Sequence, residues 1–472
     1  MTATKGPTLT DAKGMGGVIA QDGFDYQVWD ALARIPAWIL SPVFEGFIIE
    51  GLEDVEARFF APQAPALRLL DRFQAKSGVL SRAELIVVFS SFQTFEATHP
   101  QVTRLQTLVT PQLPPALAWI GRDPGRVRRA RPFYGPFASV QAASDDKLRQ
   151  DLIGEFGEDL GGFFADMIEI DLQPVMDRAR AEITFGAALQ AAFPEVDVGP
   201  RASKTAFGAL NDLAAQSRGV MLTRARLIGV LQTALGADLG LEVRLRLHLR
   251  SDRNEPGEDA LEIDAGAFSK TDGTCPPPEA WVSDLLAPME RAAVWARQGG
   301  RQRLLLTGSY RLSTAFVAGW SFRSANGFEL DIATRAGVWS TDSHATAASG
   351  PGWTIAEPAA LANGRLVVTV GVLRDPSADV QQALGLAADG LLTATLPAAL
   401  VDGAAVQASV GQIKTAVSLA AARLRPKQID LYYAGPAGFA VALGHRWNGM
   451  VPTQLFEFLP AQRRYVPTAW LA

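Results

Sequence analysis

The second half of this sequence carries a repeat that restricts the folds open to it. "RLLLTGSYRLSTAFVAGWSF…GFELDI" and "IDLYYAGPAGFAVALGHRWN…TQLFEF" each pass from an apolar strand through a turn of small residues and an Ala-rich helix closing on Gly into another strand. Strand, helix, strand is the crossover unit of parallel sheets, and two copies roughly 125 residues apart predict two α/β lobes packed as a pseudo-dimer rather than a solenoid. Just upstream, "GLEVRLRLHLRS" alternates strictly at Leu241, Val243, Leu245, Leu247 and Leu249, the mark of a strand with one buried face. Open α/β sheets bind ligands at the carboxyl ends of their strands, which is where the two small-residue turns fall.

The turns suit an anionic ligand. Gly308, Ser309, Gly435, Pro436 and Ala437 let a backbone approach a phosphate, and the helices that follow offer N-terminal N–H groups. Thr307 joins this candidate set at the end of the first strand, Arg311 offers a charge-assisted contact, and Ser309 and Ser313 offer hydroxyls. Trp339 and Tyr433 lie close enough to stack on bases, although aromatics at such spacing also fill cores. Tyr432 and Tyr433 alternate in a strand, so one of the two is expected inside.

At 472 residues the chain exceeds one typical core, and two or three domains are expected. Hydrophobic content of 48% with 20% charged residues argues against long disorder. The apolar runs break well before the roughly 18–20 residues of a membrane span, so a soluble protein with no membrane partner is expected. "MTATKGPTLTDAKGMGG" lacks a secretory apolar stretch, and the single cysteine, Cys275, can form no internal disulfide; both fit a cytoplasmic location. His99, His248, His344 and His445 show no zinc-ligand spacing. "GPRASKT" has Ser203 where a phosphate loop needs Gly, so ATP binding is not supported. With a net charge of −5, any hold on nucleic acid must come from a local patch. The candidate is the arginine-dense loop "GRDPGRVRRARPF", with Arg122, Arg126, Arg128, Arg129 and Arg131; of these, Arg126, Arg128 and Arg129 are the proposed DNA contacts.

The first third reads as a helix, "DGFDYQVWDALARIPAWIL", then three strands, "VFEGFIIE", "LEDVEARFF" and "ALRLLDRFQAK". If the last two strands are neighbours, period-two geometry places Gln74 and Lys76 on one face with Asp54 across from them. Only eight of the 44 Lys and Arg residues are lysine, which makes Lys76 an exception to the chain's own habit. A carboxylate, an amide oxygen and an ammonium suit phosphodiester hydrolysis. Asp54 and Gln74 would hold Mg²⁺ while Lys76 steadies developing charge or orients the nucleophile. Glu50 and Glu53 are further candidates, and spacing does not choose between them.

"AQDGFDYQ", "IIEGLEDVE" and "RFQAKSG", in this order, resemble the nuclease domain of the CD-NTase-associated protein 4 family of CBASS anti-phage effectors, a PD-(D/E)xK group. The resemblance carries Asp54, Gln74 and Lys76 over as catalytic or metal-binding positions and matches Gln27 to a helix signature; it spans residues 14–80 and, more loosely, reaches about 230. The second half, about residues 240–472, with "PTQLFEF" and "YVPTAWL" closing it, resembles the SAVED domain, two fused CARF-like lobes that sense cyclic oligonucleotides. The resemblance implies a cyclic di- or trinucleotide made by a partner cyclase.

The expected architecture is therefore α/β throughout. A restriction-endonuclease-like core occupies residues 1–145, a helical extension and linker 146–238, and a SAVED domain of two Rossmann-like lobes 239–472. The expected function is a Mg²⁺-dependent double-stranded DNA endonuclease switched on by the cyclic ligand, through a ligand-induced homo-oligomer. The rival is a non-catalytic sensor whose first domain only binds DNA or a partner protein, a reading that the neutral Gln74 favours. Backbone contacts alone do not separate DNA from RNA.

Overall fold

In the computed structural model, residues 12–472 are described except 52, 65, 135–137, 242–243, 252–259, 270–273, 336, 342–351 and 401. Val243 and His344, and the side chain of Arg131, lie outside that description. The chain forms two compact units, Met1–Leu241 and Glu242–Ala472.

The first unit contains α1 (Ala12–Leu40), β1 (Phe44–Ile49), β2 (Val55–Phe60), β3 (Arg68–Ala75), α2 (Arg82–Thr98), β4 (Thr103–Thr110), α3 (Asp123–Tyr134), α4 (Ala138–Phe156), α5 (Glu158–Met167), β5 (Ile168–Leu172), α6 (Arg178–Ala192), α7 (Pro200–Gln216), β6 (Leu222–Thr223) and α8 (Arg224–Leu235). One mixed sheet runs β5-β4-β3-β2-β1-β6, antiparallel from β1 to β3 and parallel from β3 to β5. Its strands read as near-continuous apolar runs because both faces are covered. Phe44, Phe47, Phe59, Phe73 and Ala75 pack with α1, α6, α7 and α8 on one side; Leu108, Ile168 and Ile170 pack with α2, α4 and α5 on the other. Helix α2 starts where the sequence encodes a capping box: the Ser81 side chain accepts from the Glu84 N–H, and Glu84 returns a carboxylate oxygen to the Ser81 N–H.

Two local expectations change here. The arginine-dense stretch is helix α3, with Pro124 tolerated in its first turn. Residues 146–238 are not a helical extension alone, because they supply β5 beside β4 and β6 beside β1, closing both edges of the same sheet.

The second unit contains β7 (Leu245–Arg250), β8 (Leu261–Asp264), short helices α9 (Gly266–Ser269) and α10 (Pro278–Ala280), α11 (Ala287–Gln298), β9 (Arg303–Gly308), α12 (Leu312–Ser321), β10 (Glu329–Thr334), β11 (Gly337–Ser340), β12 (Thr354–Ala356), β13 (Arg365–Val372), α13 (Ser377–Leu384), β14 (Leu392–Leu396), α14 (Gly403–Leu424), β15 (Gln428–Ala434), α15 (Ala437–Arg446), β16 (Thr453–Leu459) and β17 (Arg464–Leu471). Two sheets result, β11-β10-β9-β7-β8 and β12-β14-β13-β15-β16-β17, each with four parallel strands, the first with one antiparallel edge strand (β11) and the second with two (β12 and β17). The repeat is exact in its core: β9 and β15 start at residues 303 and 428, and α12 and α15 at 312 and 437, a constant offset of 125.

The two repeated helices pack on each other through glycine. A Cβ on Gly319 would fall on the Val441 carbonyl oxygen, and a Cβ on Gly444 on the Phe316 carbonyl oxygen. Both pairs carry the same offset, so the crossing is self-complementary, as in an isologous dimer interface.

Candidate active site and sensor site

In β2 and β3, Val55 lies opposite Phe73 and Glu56 opposite Arg72. Continued one step, this register sets Asp54 opposite Gln74, on the face that Arg72 and Lys76 share. Asp54 Oδ2 accepts the Ala75 N–H at 2.8 Å, which ties the end of the β2–β3 pair together. Burial dominates its electrostatics and pushes the carboxyl above its ordinary value, against the Ala75 N–H and the nearby Lys76 ammonium; Glu50 adds to the rise. Lys76 is half-buried, and its own N–H donates to the Val109 carbonyl at 2.8 Å.

Gln74 Oε1 is buried and has no hydrogen-bond partner among the described residues. An orphaned acceptor beside a carboxylate is costly unless something fills it, and the two oxygens fit a hard divalent cation. Among the described residues no cluster of three His, Cys, Asp or Glu side chains is placed to hold a metal, so the candidate set is one carboxylate with one amide oxygen.

The two remaining acids part company. Glu50 stays on the surface in a left-handed conformation (φ 54°), with Arg218 3.8 Å away. Glu53 does not face the cleft as an unengaged catalytic group, since its Oε1 accepts from Arg72 Nη2 at 2.6 Å. Burial raises its carboxyl and Arg72 opposes the rise. Gln27 sits half-buried on α1.

The α3 arginines also divide. Arg126 and Arg129 are exposed, whereas Arg128 Nη2 donates to the Phe164 and Ala165 carbonyls at 3.0 Å each. Arg128 therefore ties α3 to the end of α5, where the negative end of the helix favours a cation, and leaves the group of candidate DNA contacts.

In the second unit the candidate ligand residues gather at the carboxyl ends of β9 and β15. Gly308 and Ser309 are exposed, and Thr307 Oγ1 meets His248 Nδ1 at 2.9 Å. Arg311 is the N-cap of α12, and its Nη1 is buried without a partner among the described residues. Gly435, Pro436 and Ala437 are half-buried where α15 begins, and no side chain caps that helix.

Three expected ligand contacts are engaged within the protein. The Ser313 N–H donates to Glu457 Oε2 at 2.8 Å and its Oγ accepts from Thr468 Oγ1 at 3.0 Å, so the α12 N-terminus faces a protein carboxylate. Tyr433 is buried with its hydroxyl donating to the Pro436 carbonyl at 2.7 Å. Trp339 is buried against Gly438. Both adjacent tyrosines are inside rather than one, because each face of the sheet is covered: Tyr432 stacks on Phe456 with ring centroids 4.3 Å apart.

Residues 289–471 match the family model for SAVED, the SMODS-associated and fused to various effectors sensor domain. Over the whole chain, CD-NTase-associated protein 4 of Moraxella osloensis is 23% identical, the match covering 98% of this chain and 99% of that protein. The namesake from Acinetobacter sp. is 22% identical over the same shares. The chain is thus similar to CD-NTase-associated protein 4 over nearly its whole length, and residues 289–471 match the SAVED model. Solved structures agree in fold. The Acinetobacter baumannii Cap4 SAVED/CARF-domain containing receptor with the cyclic trinucleotide 2′3′3′-cAAA matches with TM-score 0.77 at 21% identity, over 95% of this chain and 98% of that one. Its form with 3′3′3′-cAAA gives 0.78, and the Moraxella osloensis Cap4 receptor gives 0.73 at 20% identity.

The SAVED match covers residues 289–471, while β7 and β8 complete the first lobe's sheet outside the matched range. Two residues of that half escaped the sequence reading. Glu457 had a signal: β16 alternates buried and half-buried positions, and Glu457 falls on a buried one. Trp353, stacked on Phe439 at 5.9 Å with its indole Nε1 buried and unpartnered among the described residues, follows no periodic element that would have marked it.

Proposed function

We propose that this protein is a DNA endonuclease, dependent on a divalent cation such as Mg²⁺, that a cyclic oligonucleotide, most simply a cyclic trinucleotide, activates through the SAVED lobes. The observation that carries the catalytic part is the orphaned Gln74 oxygen opposite Asp54 and beside Lys76, at one end of the central strand pair β2–β3. The ligand class rests on the SAVED match and on the cyclic trinucleotides held by the receptors of like fold.

Asp54 and Gln74 would hold the cation. Bound there, it would polarise a phosphate oxygen and lower the pKa of a water. Asp54 stays fixed through its bond from Ala75, and Lys76 offers positive charge where the phosphate develops negative charge. Arg126 and Arg129 are available to the DNA backbone. Activation requires the ligand to bind the active assembly better than the inactive one, and two copies would supply one site for each strand of the duplex.

The test is plasmid cleavage by the full chain with Mg²⁺ and a panel of cyclic di- and trinucleotides. Ligand-dependent cleavage that Lys76→Ala abolishes is the expected result. Ligand and DNA binding without nicking, unaffected by Asp54→Ala, would instead establish a non-catalytic sensor, and cleavage confined to RNA would correct the substrate.

A further inference from the structure

Behind the strand ends that carry Asp54, Gln74 and Lys76 lies a buried charged cluster that the proposed chemistry does not use. Arg72 is 1% exposed in the centre of β3. Its Nη2 donates to Glu53 Oε1 at 2.6 Å and its Nη1 to Gln106 Oε1 at 2.9 Å, while its guanidinium lies 3.5 Å from the centre of the Phe95 ring. Gln106 is itself oriented by donating to the Phe92 carbonyl at 3.3 Å. Across the strand pair Glu56 is fully buried, and its Oε1 accepts the Glu53 N–H at 3.3 Å.

Burying such a cluster is expensive, and a packed apolar set would hold β3 to β4 as well or better. Its position suggests what it accomplishes. Arg72 precedes Gln74 by two residues on the same face, and Glu53 precedes Asp54 directly. Glu50, Glu53 and Asp54 are pinned at four places: Glu50 N–H to the Asp54 carbonyl at 2.9 Å, the Glu53 side chain to Arg72, the Glu53 N–H to Glu56, and the Asp54 carboxylate to the Ala75 N–H. Each constraint limits where the Asp54 carboxylate can sit relative to the Gln74 oxygen.

We propose that Arg72 and Glu53 are a positioning pair for the metal-binding strand ends: the guanidinium fork takes Glu53 out of the ligand set and fixes the backbone at Glu53 and Asp54 that presents Asp54 to the cation. The inference rests on the metal-dependent reading of those strand ends. It makes Glu53 a partner of Arg72 rather than a ligand or an acid–base group. A lysine at position 72 would keep the charge without the planar fork that reaches Glu53 and Gln106 together.

The experiment is Mn²⁺ binding to the full-length protein without DNA, followed by electron paramagnetic resonance, with folding checked by circular dichroism. Wild type should bind Mn²⁺ and Asp54→Ala should not; absence of Asp54-dependent binding in wild type would overturn the metal reading itself. Arg72→Lys should fold and bind Mn²⁺ about 10–100-fold more weakly, the usual effect of losing an outer-shell partner. Glu53→Gln, which keeps an oxygen for Arg72, should lose less than Arg72→Lys, and it carries the test if Arg72→Lys does not fold. Wild-type affinity in folded Arg72→Lys, or a loss in Glu53→Gln as complete as in Asp54→Ala, would overturn the positioning role while leaving the metal site standing.

Discussion

Glu457, on β16 of the second lobe, accepts the backbone N–H of Ser313 at the first turn of α12 in the first lobe, at 2.8 Å. A side chain from one copy of the repeat thus caps the helix of the other, with Arg311 adding a favourable charge nearby. Burial nevertheless dominates and raises the Glu457 carboxyl above its ordinary value.

The sign of the pH effect follows. A carboxyl raised on folding contributes stability below its unfolded pKa and loses it as pH rises through the folded value. Glu457→Gln keeps an acceptor for Ser313 and removes the charge, so its melting temperature should improve relative to wild type as pH rises from 4 to 7. Glu457→Ala also strands the Ser313 N–H and should cost about 1–3 kcal/mol more than Glu457→Gln at any pH. Thermal melts across pH check both; a constant difference between wild type and Glu457→Gln would refute the linkage.

Gly319→Ala and Gly444→Ala should each destabilise the second unit, because the added methyl meets a backbone carbonyl of the facing helix. Overpacking of this kind costs about 1–3 kcal/mol, a fall of several degrees in melting temperature. The double variant should cost less than the sum, since the first substitution already separates the helices. Gly411→Ala, in α14 with open space around its Cα, should be neutral or stabilising by calorimetry.

Asp54→Asn separates stability from activity. The buried carboxylate has its charged form disfavoured, and an amide can still accept from Ala75. Ligand-dependent cleavage should be lost while the melting temperature stays level or rises; retained cleavage at the wild-type rate would exclude Asp54 from the site.

The α3 arginines should separate in the same manner. Arg128→Ala loses two hydrogen bonds to helix-end carbonyls and should lower the melting temperature. Arg126→Ala and Arg129→Ala should leave stability within about 0.5 kcal/mol and weaken DNA binding, with a shallower dependence on salt in a filter or anisotropy titration.

Much of this was legible in sequence because it depends on local periodicity. The strand runs around β1, β2 and β3 and the strand–helix–strand repeat announce themselves by alternation and by small residues at turns. Period two placed Gln74 and Lys76 on one face that Asp54 can share once the strands are neighbours, and the register of the folded pair sets Asp54 opposite Gln74. Arg72 was equally visible in "LLDRFQAK", on the same alternation as Gln74 and Lys76, but its burial was not, because a strand does not disclose which faces helices will cover.

The sequence by itself determined the strands β1 to β3, the strand–helix–strand repeat and which side chains share a strand face. Those properties follow from backbone geometry acting over a few residues. Tertiary structure alone decided which polar groups are already satisfied: Glu53 by Arg72, Ser313 by Glu457, Arg128 by the α5 carbonyls, and Gln74 Oε1 by nothing among the described residues. Hydrogen-bond partners come from elements far apart in the chain, with Glu457 lying 144 residues from Ser313, so no local pattern encodes them.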